Sequence, residues 1–341
     1  MPSGGGAGGG GGGPGGGTPP PPPPGRGGGG FAAPGAPGGG VAAPARAGRG
    51  GRSARALPPR RARPPPVGGT NHARTPMALL IEVLRQGRRG LSLARPLTCF
   101  EAELFIATGM ADRLITSWVG IGHGWGLAKV LREYAESGRV VYEEWSHLGL
   151  GLRYKAGGMG IPFLPSYSMM GSDIGHRLNV EEVTCPYTGQ SLNAVPSLNP
   201  DVALIHVQRC DVYGNAQIDG YELMDADIAR AARRVVISTE EIVSTEVIQR
   251  DPSRTVIPAF AVDAVVHQPM GAYPHECYGR YLADEDAFRD YAERIRAQGA
   301  AGAREYVMSL VKHPHHDGLI GSVPSERLDN LVLGAKGMMP R

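Results

Sequence analysis

Regular apolar patterning begins near Thr75 and from there alternates between helical and strand periods. TPMALLIEVLRQG (75–87) reads as an amphipathic helix with Thr75 as N-cap, Pro76 at its first position and Gly87 as its stop. LSLARPL (91–97) reads as a strand and FEAELFIATGM (100–110) as a helix. RLITSWVG (113–120) is a strand running into the Gly-rich IGHGWG (121–126), with a helix to follow through Tyr134. RVVYEEWS (139–146) is a strand, then a helix near Leu148 to Ala156. Loops and short strands fill the chain between Pro165 and Pro200. DVALIHVQRC (201–210) is continuously apolar, the pattern of a strand buried on both faces. MDADIARAA (224–232) predicts a helix with Asp225 and Asp227 at its positive end. RRVVISTEEIVS (233–244) predicts a strand then a turn or helix, FAVDAVVHQP (260–269) another buried strand, and DAFRDYAERIRAQ (286–298) a helix. Strands alternating with helices predict an α/β domain with a mostly parallel sheet, whose ligands gather at the carboxyl ends of strands. That directs attention to the loops after Val67, Val119, Trp145, Cys210 and Ile237.

Composition divides the chain. Residues 1–66 are almost entirely Gly, Pro, Ala and Arg, and predict a disordered low-complexity tail ahead of a folded domain at 67–335. The formal charge of +3 hides this division. Eight of the 35 basic residues lie in the tail, which has no acid, so the folded part sets 27 basic against 32 acidic residues. A mildly acidic body has no nucleic-acid footprint, although Arg46, Arg49, Arg52 and Arg55 would let the tail touch polyanions. The four cysteines, Cys99, Cys185, Cys210 and Cys277, form no CxxC pair and read as reduced thiols of a cytoplasmic protein. No stretch approaches a membrane span, and the N-terminus carries no signal pattern.

Several segments could carry chemistry, each with a plainer reading beside it. In VGGTNHARTP (67–76) two glycines precede a helix, which lets backbone N–H groups approach a ligand, with Arg74 as a nearby fixed charge; a tight strand-to-helix turn is the alternative. VGIGHGWG (119–126) resembles a phosphate loop but lacks its spacing, and reads better as a turn lining a cleft. YEEWSH (142–147) gathers Glu143, Glu144 and His147 at a strand end, where a carboxylate or imidazole could serve as nucleophile or base; it reads better as a solvated strand end with Trp145 in the core. In GIPFLPSYSMMGSD (160–173) the prolines hold an extended segment, after which Gly171 and Ser172 offer donors; a structural crossover explains the segment equally well. Glu240 and Glu241 of STEEIVS read as acids favouring a helix start. His313, His315 and His316 look like a metal tract but read as a surface cluster, so no metal site and no permanent cofactor are expected.

Taken in order, GGTNHARTP, GIPFLP with the following GSD, PDVALIHVQRCDVYGN, DADIARAA, STEEI and VDAVVHQPMGAYPHECYG resemble the α subunit of family I coenzyme A transferases, in particular the glutaconate branch. The resemblance runs from about Val67 to about Gln298. It implies an open α/β sheet with helices on both faces and a ping-pong transfer of CoA between carboxylic acids, in which a glutamate of a β partner is the nucleophile. It implies a CoA thioester as substrate and no catalytic residue in this chain. By position, Gly68, Gly69, Thr70 and Arg74 would line the CoA and acyl groups, the glycine N–H groups facing an oxyanion, and Gly171 and Ser172 would join them. The segments PFLP and the strand around His206 are also similar to steroid-ring hydrolases of the same superfamily, in which Glu144 or His147 would take the working position. A ligand-sensing, non-catalytic relative is a third reading.

One stretch departs from that family. Where a first helix and strand are expected, the chain reads RALPPRRARPPPVGG (55–69), and three consecutive prolines cannot donate to a ladder. The expectation is a sheet lacking a strand and a chain of low stability. The tail itself reads either as a misread start or as a genuine extra arm.

Overall fold

The computed structural model describes residues 67–338, other than 70, 71, 122, 123 and 125. The tail, Thr70 and half of the IGHGWG loop therefore lie outside the described residues. The strands are β1 (Leu91–Thr98), β2 (Ala111–Val119), β3 (Val141–Glu144), β4 (Phe163–Ser166), β5 (Glu182–Thr184), β6 (Ser191–Pro196), β7 (Ala203–Val207), β8 (Arg209–Cys210), β9 (Ala216–Gln217), β10 (Val235–Thr239), β11 (Thr255–Ile257) and β12 (Ala264–His267). The helices are α1 (Met77–Arg85), α2 (Glu101–Ala107), α3 (Lys129–Glu136), α4 (His147–Met159), α5 (Asp173–Leu178), α6 (Asp225–Ala231), α7 (Thr245–Gln249), α8 (Glu285–Gln298), α9 (Ala300–Val311), α10 (His316–Ile320) and α11 (Ser325–Met338).

The parallel strands form two sets, β1-β2-β3 and β12-β10-β7. Val67 joins them. Its N–H donates to Ala94 O of β1 at 2.9 Å, and it makes an isolated parallel bridge to Leu204 of β7, whose carbonyl accepts from Gly68 N at 2.8 Å. Among the described residues, Val67 and Gly68 alone occupy the central position of this sheet. The stretch for which a missing strand is expected, residues 55–66, lies outside the described residues. Two small antiparallel sheets, β4-β6-β5 and β11-β9-β8, lie outside the parallel ones.

Neighbouring residues on the central strands serve opposite cores, as a two-sided sheet requires. Leu93, Leu114 and Leu204 face a core with Leu80, Ile81, Phe105, Phe288 and Ile295, from α1, α2 and α8. Ala94, Ile115 and Ile205 face a second core with Leu150, Tyr154 and Ile228, from α4 and α6. Burying each large aliphatic side chain contributes about 1.5–3 kcal/mol. Glycines let α4 approach α6 closely, and a Cβ on Gly157 would meet Leu198 O at 2.4 Å and Ala231 Cβ at 3.1 Å.

Two local expectations need correction. Thr75 does not cap α1, whose N-cap is Pro76; its hydroxyl accepts from Arg95 Nη2 at 2.8 Å, a buried charge that competes for it. The strand around Val265 is not buried on both faces, because β12 is the outer strand of its set and Val266 is 38 % exposed. No helix among the described residues is long and apolar enough to cross a membrane.

Candidate active site

Because the central strands run parallel, their carboxyl ends share one edge, and the motif residues collect there. The Gly-Gly turn leaves Val67 on this edge. Gly69 has φ +67°, and a Cβ there would lie 2.2 Å from Ala73 O; at Gly68 it would lie 2.9 Å from Asp225 Oδ1 and from Ile205. The tight-turn reading of this motif therefore has a steric cause.

The donors of the turn are spent inside the protein. Gly68 N–H goes to Leu204 O, and Gly69 N–H goes to Asp225 Oδ1 at 2.7 Å. Arg74 does not present its charge to a cleft. It is 1 % exposed, with Nη1 on Asp225 Oδ2 at 2.5 Å and on His206 O at 3.2 Å, and Nη2 on Tyr221 O at 2.7 Å. A carboxylate 151 residues away captures the guanidinium, since a buried cation needs a partner. Asp225, read from the sequence as a helix-start acid, holds the turn. Gly68, Gly69 and Arg74 thus shape this corner rather than offering free donors.

The β3–α4 corner lies on the same edge. Glu143 is pinned by Arg113, Arg153 and the Trp145 indole N–H. Burial opposes its charge, but Arg153, Trp145 and Arg113 outweigh it and hold the carboxyl below its ordinary range. Glu144 is exposed and forms no ion pair among the described residues. Ser146 caps α4, its Oγ accepting from Gly149 N at 2.9 Å. His147 follows it, exposed, with Nδ1 3.0 Å from Ser117 Oγ. The Ser117 hydroxyl already donates to Pro96 O. Its oxygen therefore accepts from His147 Nδ1–H, which leaves the Nε2 lone pair available as a base. Ser117 carries no signal in the sequence, and its place opposite His147 comes only from the β2–β3 pairing.

Gly171 and Ser172 begin α5. Gly171 has φ +68°, while Ser172 donates its N–H and its hydroxyl to Met169 O at 3.2 and 2.7 Å and accepts from Gly175 N. The donors expected of Ser172 are consumed by its own turn. The adjacent Asp173, with Ile174, Arg177 and Leu178, faces Glu143 and Glu144 across an open cavity of about 800 Å³. Gly68 and Gly69 do not line this cavity.

Glu240 and His206 are functional candidates that sequence reasoning missed. Glu240 starts no helix; it follows β10 and turns inward. Its carboxylate accepts from His206 Nε2 at 2.7 Å, Tyr281 OH at 2.6 Å, Met270 N at 2.9 Å and Gly271 N at 3.2 Å. Burial opposes this charge too, but the His206 ring, then Tyr281 and the Met270 N–H, hold the carboxyl below its ordinary range. His206, Glu240 and Cys277 place ligand-type atoms within 4.8 Å of one another, yet the glutamate oxygens are already committed to these donors. His316 is not on the surface with His313 and His315; it is 7 % exposed and donates Nε2–H to Met270 O at 2.9 Å. The signal available in the sequence was His206 itself: an imidazole within an all-apolar strand must find a polar partner.

Comparison with known proteins matches residues 66–268 to the family model described as coenzyme A transferase. A protein of Archaeoglobus fulgidus is 39 % identical over 246 residues, 72 % of this chain and 54 % of its own length, so the chain spans about half of that relative. The A-type subunit of glutaconate CoA-transferase from Acidaminococcus fermentans is 30 % identical over 284 residues, 78 % of this chain and 88 % of that one. The crystal structure of glutaconate coenzyme A-transferase from the same organism superposes with a TM-score of 0.73 at 28 % identity, covering 79 % of this chain and 90 % of that one. The A-type subunit of 3-oxoadipate CoA-transferase from Pseudomonas knackmussii is 34 % identical over 238 residues, 68 % of this chain and 83 % of the relative.

Proposed function

The chain belongs to the coenzyme A transferase family, and we propose that it is the α-type subunit of an enzyme that moves CoA between carboxylic acids by a ping-pong cycle. A CoA thioester is the substrate, and the nucleophilic glutamate resides on a β-type partner. The observation that carries this reading is the state of the glutamates on the carboxyl edge. Glu143 is held by two arginines and Glu240 by four donors, while Glu144 stands open to solvent. A carboxylate that must attack a thioester needs to be unpaired and shielded from water, and none of the three is both. The Gly-Gly turn supplies a fixed wall of the site, from which the chain continues through Thr70 toward Arg74. Steady-state kinetics of the complex with its partner test the reading. Parallel double-reciprocal lines for acyl-CoA and acceptor acid are expected; intersecting lines contradict it.

A hydrolytic reading is favoured by one observation, the His147 ring with its Nε2 lone pair free beside the exposed Glu144. Under that reading a ring-bearing CoA thioester gains one water without an acceptor acid, its thioester staying intact, and His147→Ala abolishes that gain. Under the transferase reading His147→Ala leaves transfer within about threefold of wild type.

A further inference from the structure

The Gly-Gly turn is tied to a second segment, the strap Met270–Glu276. Arg74 N–H donates to Glu276 O, Glu276 N–H to His72 O, each at 2.8 Å, and Ala78 N–H to Gly271 O at 2.9 Å. The strap is thus laid along the residues that continue from the turn. Its other attachment is Glu240, which takes the N–H groups of Met270 and Gly271. Glu240 also holds the His206 ring, whose other nitrogen meets Ser238 Oγ at 2.9 Å. The His206 carbonyl accepts from Arg74, Arg74 pairs with Asp225, and Asp225 takes Gly69 N–H. One buried chain of hydrogen bonds therefore runs from the strap through Glu240, His206, Arg74 and Asp225 to Gly69. There is little slack in it, because a Cβ on Gly271 would lie 2.8 Å from the His206 ring.

We propose that Glu240 is a positioning residue for the transfer reaction: it locks the strap and the Gly-Gly turn into one rigid wall. This rests on the transferase reading above. Glu240 touches no reacting atom; it acts through His206 and Met270–Gly271. A wall held in place before substrate arrives lowers the barrier without tightening ground-state binding, so its loss falls on kcat rather than KM.

The test uses the complex of this chain with its β partner. Glu240→Gln keeps the volume, but with its oxygen held by the His206, Tyr281 and Gly271 donors its amide NH2 faces the Met270 N–H, which loses its acceptor. It is expected to lower kcat per trappable active site at least about tenfold, with KM for acyl-CoA within about twofold. Tyr281→Phe removes one donor of the four and lowers kcat by about threefold. Where Glu240→Gln does not assemble, Tyr281→Phe decides. Hydrogen exchange supplies a readout independent of activity: in either variant the amides of Arg74 and Glu276 exchange at least about tenfold faster than in wild type. Wild-type kcat per active site together with unchanged exchange at Arg74 and Glu276 overturns the proposal. Absence of CoA transfer by the wild-type complex overturns the transferase reading instead, and the exchange rates still decide whether Glu240 holds the wall.

Discussion

Arg74 and Asp225, 151 residues apart, pair at 2.5 Å with side-chain exposures of 2 % and 0 %. The pair explains why a positive residue follows a Gly-Gly turn in a chain whose glycine N–H groups are already occupied. Such a pair fixes geometry more than it adds stability, because desolvation offsets most of the attraction. Breaking it from one side strands a buried charge. Asp225→Ala is expected to cost about 3–5 kcal/mol in urea unfolding, and the double variant Arg74→Met, Asp225→Leu less than either single change. An Asp225→Ala loss below about 1 kcal/mol contradicts this account of the turn.

Gly69→Ala tests the turn from its other side. With φ at +67° and Ala73 O 2.2 Å from the added carbon, a destabilisation of about 1–3 kcal/mol is expected, with greater protease sensitivity near residue 70. A variant melting at the wild-type temperature shows that the turn can relax.

Glu103 is a buried acid whose carboxyl is pushed up from 4.5 to about 7, chiefly by burial. It accepts from Leu131 N at 3.0 Å and Tyr291 OH at 2.8 Å. Between those two values the native state keeps a proton that the unfolded chain has released. The contribution is therefore complete below the lower value and is lost as pH rises toward the upper one, by about 3 kcal/mol at most. Urea unfolding at pH 5 and pH 8 should show this fall in wild type and a much flatter profile in Glu103→Gln. Equal slopes in both proteins exclude Glu103 as the source.

Val67 enters the sheet directly after Pro64, Pro65 and Pro66, none of which has an N–H to donate. Replacing the three with Val-Thr-Val is expected to raise stability by about 1 kcal/mol for each ladder bond gained, seen as a higher melting temperature. An unchanged or lower melting temperature shows that the seam between β1 and β7 is already satisfied.

Most of the fold was legible because its signals are local. ALIHV (203–207) is buried at every position, as its continuous apolar run demands. The face of α8 that carries Phe288, Tyr291 and Ile295 packs as its period indicates. What stayed hidden depends on partners distant in sequence. Thr75 has the look of a cap, but Arg95 claims its hydroxyl. AVVH (264–267) has the composition of a buried strand, yet nothing in those residues marks the outermost position in the set. Arg74 looks free because Asp225 reads as an ordinary helix-start acid. Glu240 and Glu241 look alike in sequence; only the fold sends one inward to four donors, while Arg280 meets the other at 2.7 Å.

Where the nucleophile resides is decided by borohydride trapping of the complex after incubation with acyl-CoA, followed by mass spectrometry of both chains. Reduction of a glutamyl-CoA thioester leaves a mass change on the glutamate that carried it. The transferase account predicts that mark on the partner, with every peptide of this chain unmodified. A mark on Glu144, or release of free CoA with no mark on either chain, contradicts it.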